Sequence, residues 1–151
     1  MDLSFKQRVL TAFRQALLSR RDEARHELAL LDEAAAAETK SSAGDKYETA
    51  REMIAQSRSL QERGRAEAQA GLDWLDALDA ARLRECAGAG ALVESDLGLH
   101  LLGLLTSSVQ VDSRTVQGIT PASPLGQALK GKRAGDMLDW RTRRITVLHI
   151  V

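Results

Sequence analysis

Cysteine occurs once in the 151 residues, proline twice and histidine three times, and the aromatic residues are two Trp, two Phe and one Tyr. A lone Cys86 cannot close an internal disulfide, which removes the disulfide-stapled secreted scaffolds. No second Cys stands near it, and His26, His100 and His149 are scattered, so neither a zinc site nor a thiol nucleophile is supported. An excess of one charge is also missing: Lys plus Arg and Asp plus Glu are 21 each. No global field draws the chain onto nucleic acid or an anionic membrane. The longest apolar run, 97 to 105, is interrupted by Gly98, His100 and Gly103 and falls far short of the ~20 residues that span a bilayer. The opening MDLSFKQRVL lacks the features of a secretory signal. The expectation is a soluble protein of a reducing cytoplasm, with no membrane partner.

What is present divides near Gly88-Ala-Gly90. Residues 3 to 86 hold no proline and are dense in Ala, Leu, Glu and Arg. Residues 91 to 151 hold both prolines and most of the Val, Ile and Thr. The fold class expected is α+β, with residues 1–87 forming an antiparallel coiled-coil hairpin whose tip is near 41–48. Residues 88–151 form a second domain.

In the first module Leu3, Leu10, Leu17, Ala24 and Leu31 recur every seven residues, joined by Phe13, Leu28 and Ala35 in the second seam position. After the break Tyr47, Ile54, Leu60, Ala68, Leu72, Leu75, Leu78 and Leu83 follow at three- and four-residue steps. Folding about Gly44 sets Leu17 near Leu72, Leu28 near Leu60 and Ala24 near Gly64. The first helix would be roughly 55 Å long at about 1.5 Å per residue, so the hairpin reads as an intramolecular, monomeric rod that delivers its tip.

In the second module ALVE (91–94), LHLLGLL (99–105), SVQV (108–111), RTVQGI (114–119) and RITVLHIV (144–151) are strand candidates, separated by D-L-G, D-S and R-T turn signals. Ser123 and Pro124 suit an N-cap and first helical residue, and Gly131 a stop, which predicts one short helix beside a small antiparallel sheet.

Two stretches carry candidate chemistry. Asp45 and Glu48 stand three apart just after Gly44. On spacing alone they form a capping box at the start of the second helix, each charge favoured by the positive helix end. Exposed oxygens of such a pair could also complete the shell of a Mg²⁺ held mainly by another macromolecule, since that ion keeps waters and takes one or two protein carboxylates. Elsewhere Gly126 to Lys132 matches the opening of a P-loop, but Arg133 occupies the position where Mg²⁺ ligation needs Ser or Thr.

The stretch ITPASPLGQALKGKRAGDML (119–138), followed by RRITVLHIV, resembles the C-terminal domain of the bacterial Gre transcript-cleavage factors. The matching residues are Ser123-Pro124-Leu125-Gly126, Ala128-Leu129, Gly131-Lys132 and Gly135-Asp136. The family's acidic tip also has a likeness here, in Gly44-Asp45-Lys46-Tyr47-Glu48. Lys46, Tyr47 and Thr49 replace the family's usual Leu-Ser and Asn, and Lys130 stands where an aliphatic residue is usual. The resemblance implies an FKBP-like C-terminal domain that binds RNA polymerase core through Ser123, Pro124, Leu125 and Gly126. It also implies a coiled coil that enters the secondary channel. Asp45 and Glu48 would then share Mg²⁺ with the polymerase near an RNA 3′ end, stimulating cleavage of backtracked RNA. The protein would be a co-catalyst rather than an enzyme, with no tightly bound cofactor. The alternatives are a regulator that occupies the channel without promoting cleavage, and a coiled-coil interaction module in which the acids are only a cap.

Overall fold

The computed structural model describes the backbone of residues 1–38, 44–104 and 108–151, and the side chains of these residues except 38 and 44–47. The order of elements is α1 (Leu3–Glu38), α2 (Gly44–Ala77), β1 (Leu92–Ser95), β2 (Gly98–Leu102), β3 (Val109–Val111), β4 (Arg114–Ile119), α3 (Pro124–Leu129), β5 (Met137–Trp140) and β6 (Arg143–Ile150). The fold is α+β. By contact density the chain divides into two compact units, Ala16–Asp73 and the combination of Met1–Gln15 with Trp74–Val151. The composition change at Gly88 separates helix formers from strand formers, whereas the contact division assigns both helix ends to the unit that holds the sheet.

Ala16–Asp73 is an antiparallel two-helix hairpin. Arg20 pairs with Glu67 at 2.9 Å, Arg21 reaches Gln69 at 3.5 Å, and Arg58 pairs with Asp32. Each pair brackets the break between the helices almost symmetrically, which is the register expected from folding about Gly44. Leu17, Ala24, Ala68 and Leu72 are buried between the helices. Farther out the seam is only half-buried, through Leu28, Leu31 and Ala35 on α1 and Ile54 and Gln61 on α2. The expected partner of Leu28, Leu60, is instead 64% exposed. Ala68 and Leu75 set the heptad phase of α2, and seven residues before Ala68 stands Gln61, so a polar residue takes the seam and Leu60 turns outward.

In the other unit α1 is capped by Asp2, whose Oδ1 accepts from the Phe5 N–H at 2.8 Å; that bond holds the carboxyl below its usual range. A six-stranded sheet runs in the order β3-β4-β2-β1-β6-β5. Every pairing is antiparallel except β2 with β4, which is parallel, so the sheet is mixed rather than wholly antiparallel. The cause is topological. The chain passes from β2 to the sheet edge as β3, then turns inward through Asp112 and Ser113 (φ 50° and 63°), and the second reversal aligns β4 with β2. β5 was not expected as a strand; Arg141 (φ 54°) lies in the turn that returns it to β6.

One face of the sheet packs Val93, Leu102, Ile119, Leu138, Ile145 and Val147 against Leu129 of α3. The alternate residues Leu99, Leu101 and Val116 are buried on the other face. There the first turns of α1 meet the β3–β4 hairpin: Arg8 pairs with Asp112 at 2.8 Å, and the Arg114 guanidinium lies 5.0 Å over the Phe5 ring. Gly103 adopts φ +126° against Trp74, where a Cβ would stand 2.2 Å from the indole.

Candidate functional site

The two predicted groups of site residues belong to different compact units, Asp45 and Glu48 to the hairpin and Ser123 to Gly126 to the sheet unit. α2 opens at Gly44, so Asp45 is its second residue and Glu48 its fifth, and residues three apart share a helix face. Glu48 is exposed. The Asp45 side chain lies outside the described residues, as do Lys46 and Tyr47. Carboxylate oxygens are the donor type that suits Mg²⁺, and two of them need most of the ion's shell from elsewhere. Among the described residues no group of three or more His, Cys, Asp or Glu could hold a metal ion.

The Ser123-Pro124-Leu125-Gly126 stretch is a built turn. Ser123 takes an extended conformation (φ −65°, ψ 153°), its Oγ accepts from the Gly126 N–H at 3.1 Å, and its hydroxyl donates to the Thr120 carbonyl at 2.7 Å. Pro124 follows at the first helical position, where its missing N–H costs nothing. Gly126 is required by space rather than by φ: a Cβ there would stand 2.1 Å from the Thr120 carbonyl oxygen. Leu125 is half-buried and packs on the sheet core, while Pro124 and Gln127 are exposed. Ser123 and Gly126 therefore shape the turn, Leu125 anchors it, and Pro124 presents it. Thr120, which the motif did not single out, supplies both the carbonyl acceptor and an Oγ1 that accepts from the Ser123 N–H at 3.1 Å.

Two further polar features had no signal in the sequence. Glu94 on β1 is held between Arg114 on β4 and His149 on β6, whose Nδ1 is 3.1 Å from the carboxylate. These residues meet only because the sheet order brings their strands together. Lys6 is fully buried, and its Nζ makes one long hydrogen bond, 3.4 Å to the Arg82 carbonyl. Desolvation pushes its pKa down, the Arg84 charge adds to this, and Asp79 opposes it. His26 and Cys86 are exposed.

No protein-family description matches the chain, and no curated protein matches it. Among solved structures, GreA factor homolog 1 (Gfh1) of Thermus thermophilus is 20% identical, with 93% of this chain and 95% of that one covered, at a TM-score of 0.34. A structure of the transcription factor Gfh1 is 23% identical, with 92% and 93% covered, at 0.38. At such TM-scores the fold class stands on the elements of this chain alone. Among the described residues no helix is long and apolar enough to cross a membrane.

Proposed function

We propose that this chain is an RNA polymerase-binding elongation factor of the Gre type that acts as a monomer. Its C-terminal turn docks on the polymerase core, and its hairpin is the element that enters the secondary channel. The observation that carries this reading is the 119–138 stretch. Its Gre-like Ser-Pro-Leu-Gly residues form one hydrogen-bonded turn that tolerates no side chain at Gly126 and leaves Pro124 facing outward. The hairpin adds a second support, because its return helix opens on the Asp45–Glu48 pair. In the bound state these carboxylates would lend oxygen ligands to a Mg²⁺ held mainly by the polymerase, which positions and activates a water for RNA hydrolysis. The polymerase performs the chemistry; this chain contributes charge and position.

Two variants test the halves separately. Pro124→Glu keeps the Ser123 cap and places an acid where the helix dipole favours one, so the protein folds while pulldown of polymerase core is lost. Retained pulldown removes the turn from the interface. The double variant Asp45→Asn with Glu48→Gln keeps the size of both side chains and costs about 0.3–1 kcal/mol for the charge lost at Asp45 in the first turn. It should bind polymerase like the parent but lose stimulation of RNA cleavage in a backtracked complex. A parent that binds and gives no stimulation at any Mg²⁺ concentration is instead a regulator that occupies the channel.

A further inference from the structure

The outer half of the hairpin has two unlike sides. Antiparallel right-handed helices place the residue just before each seam position on one side and the residue just after it on the other. Leu30, Met53 and Leu60 all precede seam residues, Leu31, Ile54 and Gln61, so the three share a side. They are 46%, 65% and 64% exposed. That side also opens as a cleft of about 690 Å³ beside Ala24 and Gly64, where small residues leave the seam unfilled. The opposite side carries Arg25, Asp32, Glu62 and Arg65 and, among the described residues, no exposed large apolar residue.

We infer that the apolar side is a self-association surface, taken by the same side of a second copy of this chain. Charge selects that occupant. On this side α1 presents Glu23 and Glu27 and α2 presents Arg63; none of them makes an ion pair among the described residues. The register set by Arg20–Glu67 and Asp32–Arg58 puts Arg63 level with the two glutamates and Leu60 level with the turn that carries Leu30. A two-fold axis along the hairpin lays α2 of each copy over α1 of the other at the same level. Each Arg63 then meets Glu23 and Glu27 of the second copy, and each Leu60 meets Leu30. The product is a four-helix bundle in which each helix runs antiparallel to both of its neighbours and the apolar residues are covered. Such a dimer competes with any partner that takes a single hairpin, so it limits the acting monomer by concentration.

Sedimentation equilibrium of the full chain over a wide concentration range tests this without polymerase. A reversible monomer–dimer equilibrium is expected. Leu60→Gln, or Arg63→Glu, should weaken it by at least about tenfold, which corresponds to ~1.4 kcal/mol, with unchanged helical circular dichroism. Arg63→Glu combined with Glu23→Arg and Glu27→Arg should restore it, and Arg65→Glu on the opposite side should leave it unaltered. A parent that stays monomeric at every concentration overturns the proposal. So does a dimer that ignores both weakening variants, or that Arg65→Glu weakens equally.

Discussion

Every strand of the sheet contributes at least one buried side chain, whereas in the hairpin burial stops at Ala24 and Ala68 and no side chain among residues 25–37 and 48–67 is buried. The contrast separates two ways of holding structure. The outer hairpin depends on its internal hydrogen bonds, cross-helix ion pairs and a half-covered seam, and helices held that way are marginal. The sheet unit depends on residues distant in sequence: β1 pairs with β6, the Ala87 N–H donates to the Lys132 carbonyl at 2.7 Å, and the Gly131 N–H donates to the Ala87 carbonyl at 2.7 Å. Motif residues in the sheet unit therefore bear structural loads, whereas Glu48 in the hairpin is exposed and packs against no core.

Glycine gives the largest test of that contrast. Gly126→Ala should cost the sheet unit about 3 kcal/mol, because the new Cβ is opposed by backbone at Thr120 and Pro121 rather than by a side chain that can swing aside. Trp74 and Trp140 both lie in this unit, so urea denaturation followed by Trp fluorescence reads the loss directly. An unchanged midpoint would show that the Ser123–Gly126 turn relaxes freely, and the division of labour between the units would not hold.

A smaller effect comes from pH. His100 on β2 is buried, its Nδ1 has no hydrogen-bond partner, and desolvation lowers its pKa from 6.5. Its register neighbours are Val93 and Gln117, neither of them charged. The folded state thus binds the proton less readily than the unfolded chain. The stability of the neutral imidazole is fully present above pH 6.5 and is lost as pH falls below it, by no more than about 1.4 kcal/mol per pH unit for one proton. His100→Gln should flatten that dependence relative to the parent. Equal slopes in the two proteins would place the acid sensitivity elsewhere.

Sequence alone made the hairpin legible because its signal is periodic: Leu10, Leu17 and Ala24 recur at heptad spacing and are buried. The short helix was legible because Ser123, Pro124 and Gly131 are local instructions, and Gly131 does take φ +77° just past it. Where the signal was ambiguous by one residue, Leu60 was assigned to the seam that Gln61 occupies. Leu83, read as part of the second helix, lies beyond Ala77 and is 68% exposed. The parallel β2–β4 pairing, strand β5, the buried Lys6 and the Glu94–Arg114–His149 group left no mark on the sequence, since each depends on chain segments that meet only after folding. Of the candidate site, the turn and the acids were legible as motifs, but the role of Thr120 and the inward packing of Leu125 required coordinates.

The smallest effect carries the opposite sign. Gly64 lies within α2, and a Cβ there would meet nothing nearer than the flexible end of Arg20 at 3.9 Å. The open cleft beside it shows that no close helix approach requires a glycine at this position. Gly64→Ala removes backbone freedom from the unfolded chain without adding a clash, so the hairpin should gain about 0.5–1 kcal/mol. Gly126→Ala and Gly64→Ala thus make the same chemical change with opposite outcomes, one set by a carbonyl at 2.1 Å and the other by empty space. Circular dichroism at a helical wavelength reads the gain, since hairpin melting need not alter the Trp signal. A destabilised Gly64→Ala would mean that the helices close on one another at this level in solution, and the cleft proposed to receive a second copy would be lost with it.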